Sequence, residues 1–184
     1  VVTITGTNDT PAITGKLSGE VKEAGGGHNN EAGAPIATGA LSSQDADNEN
    51  TWQPGSNVST TYGKYTLSST GSWTYTLNDT NTDVQALNSG QTLSDAFSAV
   101  TIDGTRQIIT ILIKGTNDTP IITGKISEEV VEAGGANNTQ PGTPSVSGTL
   151  TSLDLDNDNS WRPATNTSTT YGSYALSSTG SWSY

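Results

Sequence analysis

The chain has 184 residues, 30% of them hydrophobic, and a net charge of −11 with only seven Lys and Arg. That balance lacks the basic footprint that nucleic acid or an anionic membrane surface requires, and it suits cations instead. There is no cysteine, hence no disulfide, thiol chemistry or thiolate metal site, and no run approaches the ~18 apolar residues of a membrane span. No signal peptide is visible, and Met is absent even at position 1, so the numbering is expected to begin inside a longer protein.

Two identical hexapeptides, Gly6-Thr7-Asn8-Asp9-Thr10-Pro11 and Gly115-Thr116-Asn117-Asp118-Thr119-Pro120, stand 115 − 6 = 109 positions apart. Sliding the sequence by 109 aligns residues 1–75 with 110–184 without a gap at about 60% identity, the mark of an internal repeat. Trp52, Tyr62, Tyr65, Trp73 and Tyr75 fall on Trp161, Tyr171, Tyr174, Trp182 and Tyr184. The expected organisation is the end of a preceding repeat with its linker at 1–11, a complete repeat at 12–119, and a second repeat at 120–184. The second repeat has no counterpart of residues 76–109.

Within the complete repeat the expected elements are strands. Residues 12–16 and 20–21 form a broken first strand, and a Gly/Asn-rich loop at 24–33 leads to a strand at 36–42. An acidic loop at 45–50 precedes a short strand at Trp52. Tyr65-Thr66-Leu67 and Trp73-Thr74-Tyr75-Thr76-Leu77 alternate large and small residues, as half-buried strands do, around a turn at 69–72. Val84 and Leu87 predict a helical turn within 83–90, and residues 92–102 and 106–114 form a hairpin at Asp103-Gly104. Seven strands with regularly spaced turns describe an all-β chain of tandem Greek-key, immunoglobulin-like β-sandwiches.

Several of these runs carry a family resemblance. Tyr62-Gly63-Lys64-Tyr65-Thr66-Leu67, Gly71-Ser72-Trp73-Thr74-Tyr75-Thr76-Leu77, Val84-Gln85-Ala86-Leu87, Thr92-Leu93-Ser94-Asp95-Ala96-Phe97 and the closing Gly115-Thr116-Asn117-Asp118-Thr119-Pro120 together closely resemble the VCBS repeats. These are bacterial cadherin-like modules found in giant adhesins with RTX repeats. The resemblance covers both copies almost end to end. It implies tandem β-sandwiches in a secreted, cell-surface adhesin, exported by a type I system and stiffened by calcium (Ca2+). Neighbouring repeats of the same chain are the implied partners, and a surface glycan or protein would be gripped by other domains.

Calcium takes six to eight oxygen ligands, which carboxylates, amides and backbone carbonyls on turns supply. Strand alternation places Asp45 and Asp47, and also Asp103, at the end where the chain enters the repeat. It places Glu20, Glu23, Asp79 and Asp83 at the opposite end. The joint between repeats would then combine these last four with Asn117 and Asp118 of the linker and with Asp154 and Asp156 of the next repeat. The arrangement looks like a cadherin junction, matched by the linker Asn-Asp-Thr-Pro and by the D-x-D pairs Asp45-Ala46-Asp47 and Asp154-Leu155-Asp156. Asn8 and Asp9 face a neighbour outside this sequence, so the internal joint is expected to bind calcium fully and the N-terminal copy at best partly.

The same residue types also build ordinary turns, because their side chains bond local backbone; Asp103-Gly104 reads most simply that way. An EF-hand at Asp154 is excluded by Asn159 in place of Gly and Thr165 in place of Glu. One His, His28 in a Gly/Asn loop, and no Cys leave no zinc site or nucleophilic triad, and no enzyme is expected. Trp73 and Tyr75 share one strand face and read as core, whereas Tyr62 is the better candidate for exposure. The leading reading is a structural extender repeat of an adhesin, and the alternative is a carbohydrate- or protein-binding β-sandwich module.

Overall fold

A computed structural model describes residues 1–47, 50–157 and 159–184. The chain divides into two compact units, Val1–Asn117 and Asp118–Tyr184. Among the described residues the regular secondary structure of both units is nearly all β-strand, and every strand pairing but one is antiparallel.

The first unit contains β1 (Ala12–Gly15), β2 (Ser18–Lys22), β3 (Ile36–Gln44), β4 (Gly55–Ser59), β5 (Gly63–Leu67), β6 (Ser72–Leu77), β7 (Thr92–Val100) and β8 (Arg106–Lys114). A one-turn helix, α1 (Thr82–Gln85), lies between β6 and β7. One sheet has the order β1-β3-β6-β5-β4 and the other β2-β8-β7. The broken first strand has a cause. Gly15 adopts φ +113°, a conformation open to glycine and strained for other residues. The chain then leaves β3 and rejoins the opposite sheet, where β2 runs parallel to β8. Trp52 makes a single bridge to Thr101 rather than a strand, and β4 was not expected from the sequence.

Alternation decides the core. Leu67, Trp73, Tyr75 and Leu77 of one sheet and Phe97, Ala99, Ile109, Ile111 and Ile113 of the other are all buried. Phe97 stacks on Tyr65 with ring centroids 4.2 Å apart and meets Trp73 edge-on at 5.7 Å, so the sheets pack face to face. Tyr62 is more exposed than Trp73 and Tyr75, in line with the sequence reading, but it is not free of the core. It packs partly buried against this core, since its backbone N–H is held by the buried Asp95 carboxylate at 3.0 Å.

Gly71, in the β5–β6 turn, has φ +86°, and a β-carbon there would run into the Leu41 carbonyl and the Trp52 indole nitrogen. Gly180 meets Leu150 and Trp161 in the same way. Gly71→Ala is therefore expected to destabilise the first unit by about 1–3 kcal/mol, read as a lower urea midpoint.

The second unit repeats one sheet. It contains β9 (Ile121–Gly124), β10 (Ser147–Leu153), β11 (Ala164–Ser168), β12 (Ser173–Leu176) and β13 (Ser181–Ser183), in the order β11-β12-β13-β10-β9. These register with β1, β3, β4, β5 and β6. Residues 127–130, which register with β2, form no strand. The pairing that makes β2 a strand is its ladder to β8.

Candidate functional site

At the start of the first unit, the linker backbone is bonded to the acidic loop. The Asp9 N–H donates to both carboxylate oxygens of Asp47, at 3.0 and 3.3 Å. The Asp47 N–H in turn donates to Asp45 Oδ1 at 3.2 Å, and the Asp45 N–H donates to Asn50 Oδ1 at 2.6 Å. Asn8 Nδ2 donates to the Asp9 carbonyl at 2.8 Å. Short side chains bearing an oxygen near the main chain favour such loops, because they reach backbone donors a few residues away.

The second unit builds the same cradle 109 residues later. The Asp118 N–H donates to Asp156 Oδ2 at 2.9 Å, and the Asp154 N–H to Asn159 Oδ1 at 2.7 Å. Asn157 Nδ2 bridges the two acids, donating to Asp156 Oδ1 at 2.9 Å and to Asp154 Oδ2 at 3.5 Å. Burial pushes the Asp156 carboxyl above its ordinary range; the Asp118 N–H opposes this, and the neighbouring Asp154 carboxylate adds to it. Asp118 is only 2% exposed, whereas Asp9 is exposed. Asp158 lies outside the described residues.

A different set meets where the first unit ends. Glu23 is 1% exposed. Its Oε1 accepts the Thr116 N–H at 2.8 Å, its carbonyl accepts the Thr116 hydroxyl at 3.1 Å, and its N–H donates to the Lys114 carbonyl at 3.1 Å. Asp79 accepts the Ala24 N–H at 3.1 Å. The Asn117 carbonyl accepts the Gly26 N–H, and the Asn117 N–H donates to Ser89 Oγ, both at 3.1 Å. Thr116 and Asn117 are thus bonded to residues of the first unit.

The remaining candidates are separate from these sets. Asp83 is exposed in the first turn of α1, whose N-cap is Asn81. Glu20 pairs with Lys114 at 2.7 Å. Asp103 is bonded within its own turn, to the hydroxyl of Thr101 and to both the N–H and the hydroxyl of Thr105. The Thr101 bond is the main cause that holds its carboxyl below the ordinary range. Among the described residues, no group of three or more His, Cys, Asp or Glu forms a metal-holding cluster.

Sequence reasoning missed Asn50 and Asn159, which fix the first Asp of each loop. The signal was present as a D-x-D-N-x-N pattern in both repeats. Thr116 and Ser89 were missed too, since neither type announces a partner across so long a stretch of chain. Comparison of the chain with protein-family models and with curated proteins found no match. No helix among the described residues is long and apolar enough to cross a membrane.

Proposed function

We propose that this chain is a run of structural extender repeats of the VCBS type from a secreted bacterial surface adhesin, with calcium bound beside each Gly-Thr-Asn-Asp-Thr-Pro joint. The observation that carries the reading is the cradle built twice: Asp9 on Asp47, and Asp118 on Asp156, at one repeat position. A motif serving the joint recurs with the joint, whereas a site for an individual ligand need not recur at all. The first unit's strand order, with its first strand divided between two sheets, supports the immunoglobulin-like Greek-key reading.

The donors fit a hard cation. They are oxygens only, and two carboxylates sit close enough to disfavour each other's charge. Asp154 and Asp156 in the second unit, and Asp45 and Asp47 in the first, would supply carboxylate ligands, although no group of three is gathered among the described residues. Backbone carbonyls and water would complete the shell. Bound calcium would supply positive charge that cancels the repulsion among these acids. In the first unit the sugar-stacking alternative loses its main platform, because Trp52, Trp73 and Tyr75 are buried in the core.

Isothermal titration with calcium chloride tests the reading. Extracellular modules bind at ~10⁻⁴–10⁻³ M, so ~10 mM calcium is expected to add about 1.4–2.7 kcal/mol of stability per occupied site. Asp118→Ala with Asp156→Ala should remove one site from the stoichiometry. Absence of binding heat together with an unchanged melting temperature would overturn the proposal.

A further inference from the structure

The triplet Asn-x-Ser/Thr, with any residue but proline in the middle, is the acceptor signal for sugar transfer to an asparagine amide. It occurs at Asn8, Asn57, Asn78, Asn117, Asn137 and Asn166. Four of these are taken up by local structure. Asn8 Nδ2 donates to the Asp9 carbonyl, and Asn117 is bonded through its main chain on both sides. Asn78 Oδ1 accepts the Thr80 N–H at 3.3 Å and the Thr80 hydroxyl at 2.8 Å, so the amide and hydroxyl of that triplet hold each other. Asn137 is wound into the single helical turn Ala136–Asn138.

Asn57 and Asn166 are different. They lie on β4 and β11, each an edge strand of its five-stranded sheet. Asn57, Val58 and Ser59 are all exposed, and so are Asn166, Thr167 and Ser168. The two asparagine amides and the two serine hydroxyls make no hydrogen bond in the fold. Both groups of each triplet therefore face outward, unbonded, on an extended segment whose outer main-chain edge has no neighbouring strand.

Backbone conformation accounts for only half of the triplet. Asn57 and Asn166 have φ +51° and +45°, a region that asparagine enters more readily than most residues. No such demand falls on the serine two positions later. Yet when Gly55–Ser59 is set against Ala164–Ser168, the identical residues are the Asn and the Ser alone. Gly55, Ser56 and Val58 correspond to Ala164, Thr165 and Thr167. A serine that bonds nothing recurs with the asparagine, while its other neighbours on the strand differ.

We propose that Asn57 and Asn166 are acceptors of N-linked sugar, transferred from a glycosyl diphosphate by an enzyme that reads the triplet on the exposed edge strand. Nδ2 forms the new bond to the anomeric carbon, the bond from that carbon to the diphosphate oxygen breaks, and the proton lost from Nδ2 passes to the departing diphosphate. Nothing is oxidised or reduced. The unpaired main chain of an edge strand can be drawn into a transferase as an added strand, and the Ser59 or Ser168 hydroxyl is the second group it recognises. The attached sugar points to solvent and obstructs pairing of that edge with another chain. This modification is independent of calcium at the joints.

Peptide mass spectrometry of the protein isolated from the cells that make it naturally tests the proposal. Fragmentation that leaves side-chain sugars in place is expected to locate added sugar mass on Asn57 and Asn166 and on none of the other four asparagines. The double variant Ser59→Ala, Ser168→Ala, made in the same cells, is expected to lose the sugar from both. Neither hydroxyl is bonded in the fold, so its circular dichroism should match that of the parent. Bare Asn57 and Asn166 in the parent overturn the proposal. So does sugar that persists in the variant, because the hydroxyl would then play no part in recognition.

Discussion

Trp73→Ala is expected to lower the stability of the first unit by about 3–5 kcal/mol, the largest loss for any single side chain considered. The indole is 2% exposed, meets Phe97 edge-on, and donates through Nε1 to the Lys16 carbonyl at 3.0 Å. Its removal opens a cavity between the sheets and takes a donor from the point where the first strand changes sheet. Trp182→Ala, one repeat later, is expected to cost about 1 kcal/mol. That indole keeps the matching bond, to the Lys125 carbonyl at 2.9 Å, but lines an open groove. Urea unfolding of both variants, followed by circular dichroism, distinguishes them. Equal losses would mean that the Trp182 face is covered in solution.

Asp95→Ala is expected to cost about 2–4 kcal/mol, because it strands several donors at one buried point. Asp95 Oδ2 accepts the Thr60 hydroxyl at 2.6 Å, the Tyr75 hydroxyl at 2.7 Å and the Tyr62 N–H at 3.0 Å, while Oδ1 accepts the Ala96 N–H at 2.8 Å. Burial alone would raise the Asp95 carboxyl, but the bonds from Thr60, Tyr75, Tyr62 and Ala96 outweigh it and hold the carboxyl below the ordinary 3.8. A carboxyl depressed in the fold contributes stability that is fully present above its unfolded value. That contribution is lost as pH falls from near 4 through the lower folded value. The Tyr75 phenol behaves oppositely. Burial first, and then Asp95, push it far above the ordinary 10.0, so stability falls as pH rises beyond that value. Melting temperature measured against pH should show both slopes, and Asp95→Asn should flatten the acid one. An unchanged acid slope would assign it to other carboxyls.

The β5–β6 hairpin was legible because its large and small residues alternate, as half-buried strands do, and the β7–β8 hairpin because Asp103-Gly104 marks a tight turn between two strand-forming runs. The repeat was legible from identity alone. By contrast, β4 was not, since Gly55-Ser56-Asn57-Val58-Ser59 has no apolar alternation and holds a bulge at Asn57, with φ +51°. Asp95 sits in the inward phase of β7, between Leu93 and Phe97. Its phase announces burial, but nothing local names Thr60 and Tyr75 as the groups that make burial tolerable. At the candidate site, D-x-D and Asn-Asp were visible as oxygen-rich turns. That Asp118 would bond Asp156 across 38 residues is a consequence of strand direction, and strand direction could be read. The burial of Glu23 could not, because it depends on Thr116 arriving from the far end of the repeat.

The parallel ladder between Ser18–Lys22 and 110–114 has a mechanical consequence. Chain entering the first unit reaches β2, and chain leaving it departs from β8, and these two strands lie side by side pointing the same way. Tension on the two ends of the repeat pulls them in opposite directions along their length. The load therefore falls in shear on the whole row of bonds at once, instead of peeling them one after another. A repeat wired in this way resists extension through its shortest load path, and the five-stranded sheet is loaded only where β1, which precedes β2, pairs with β3.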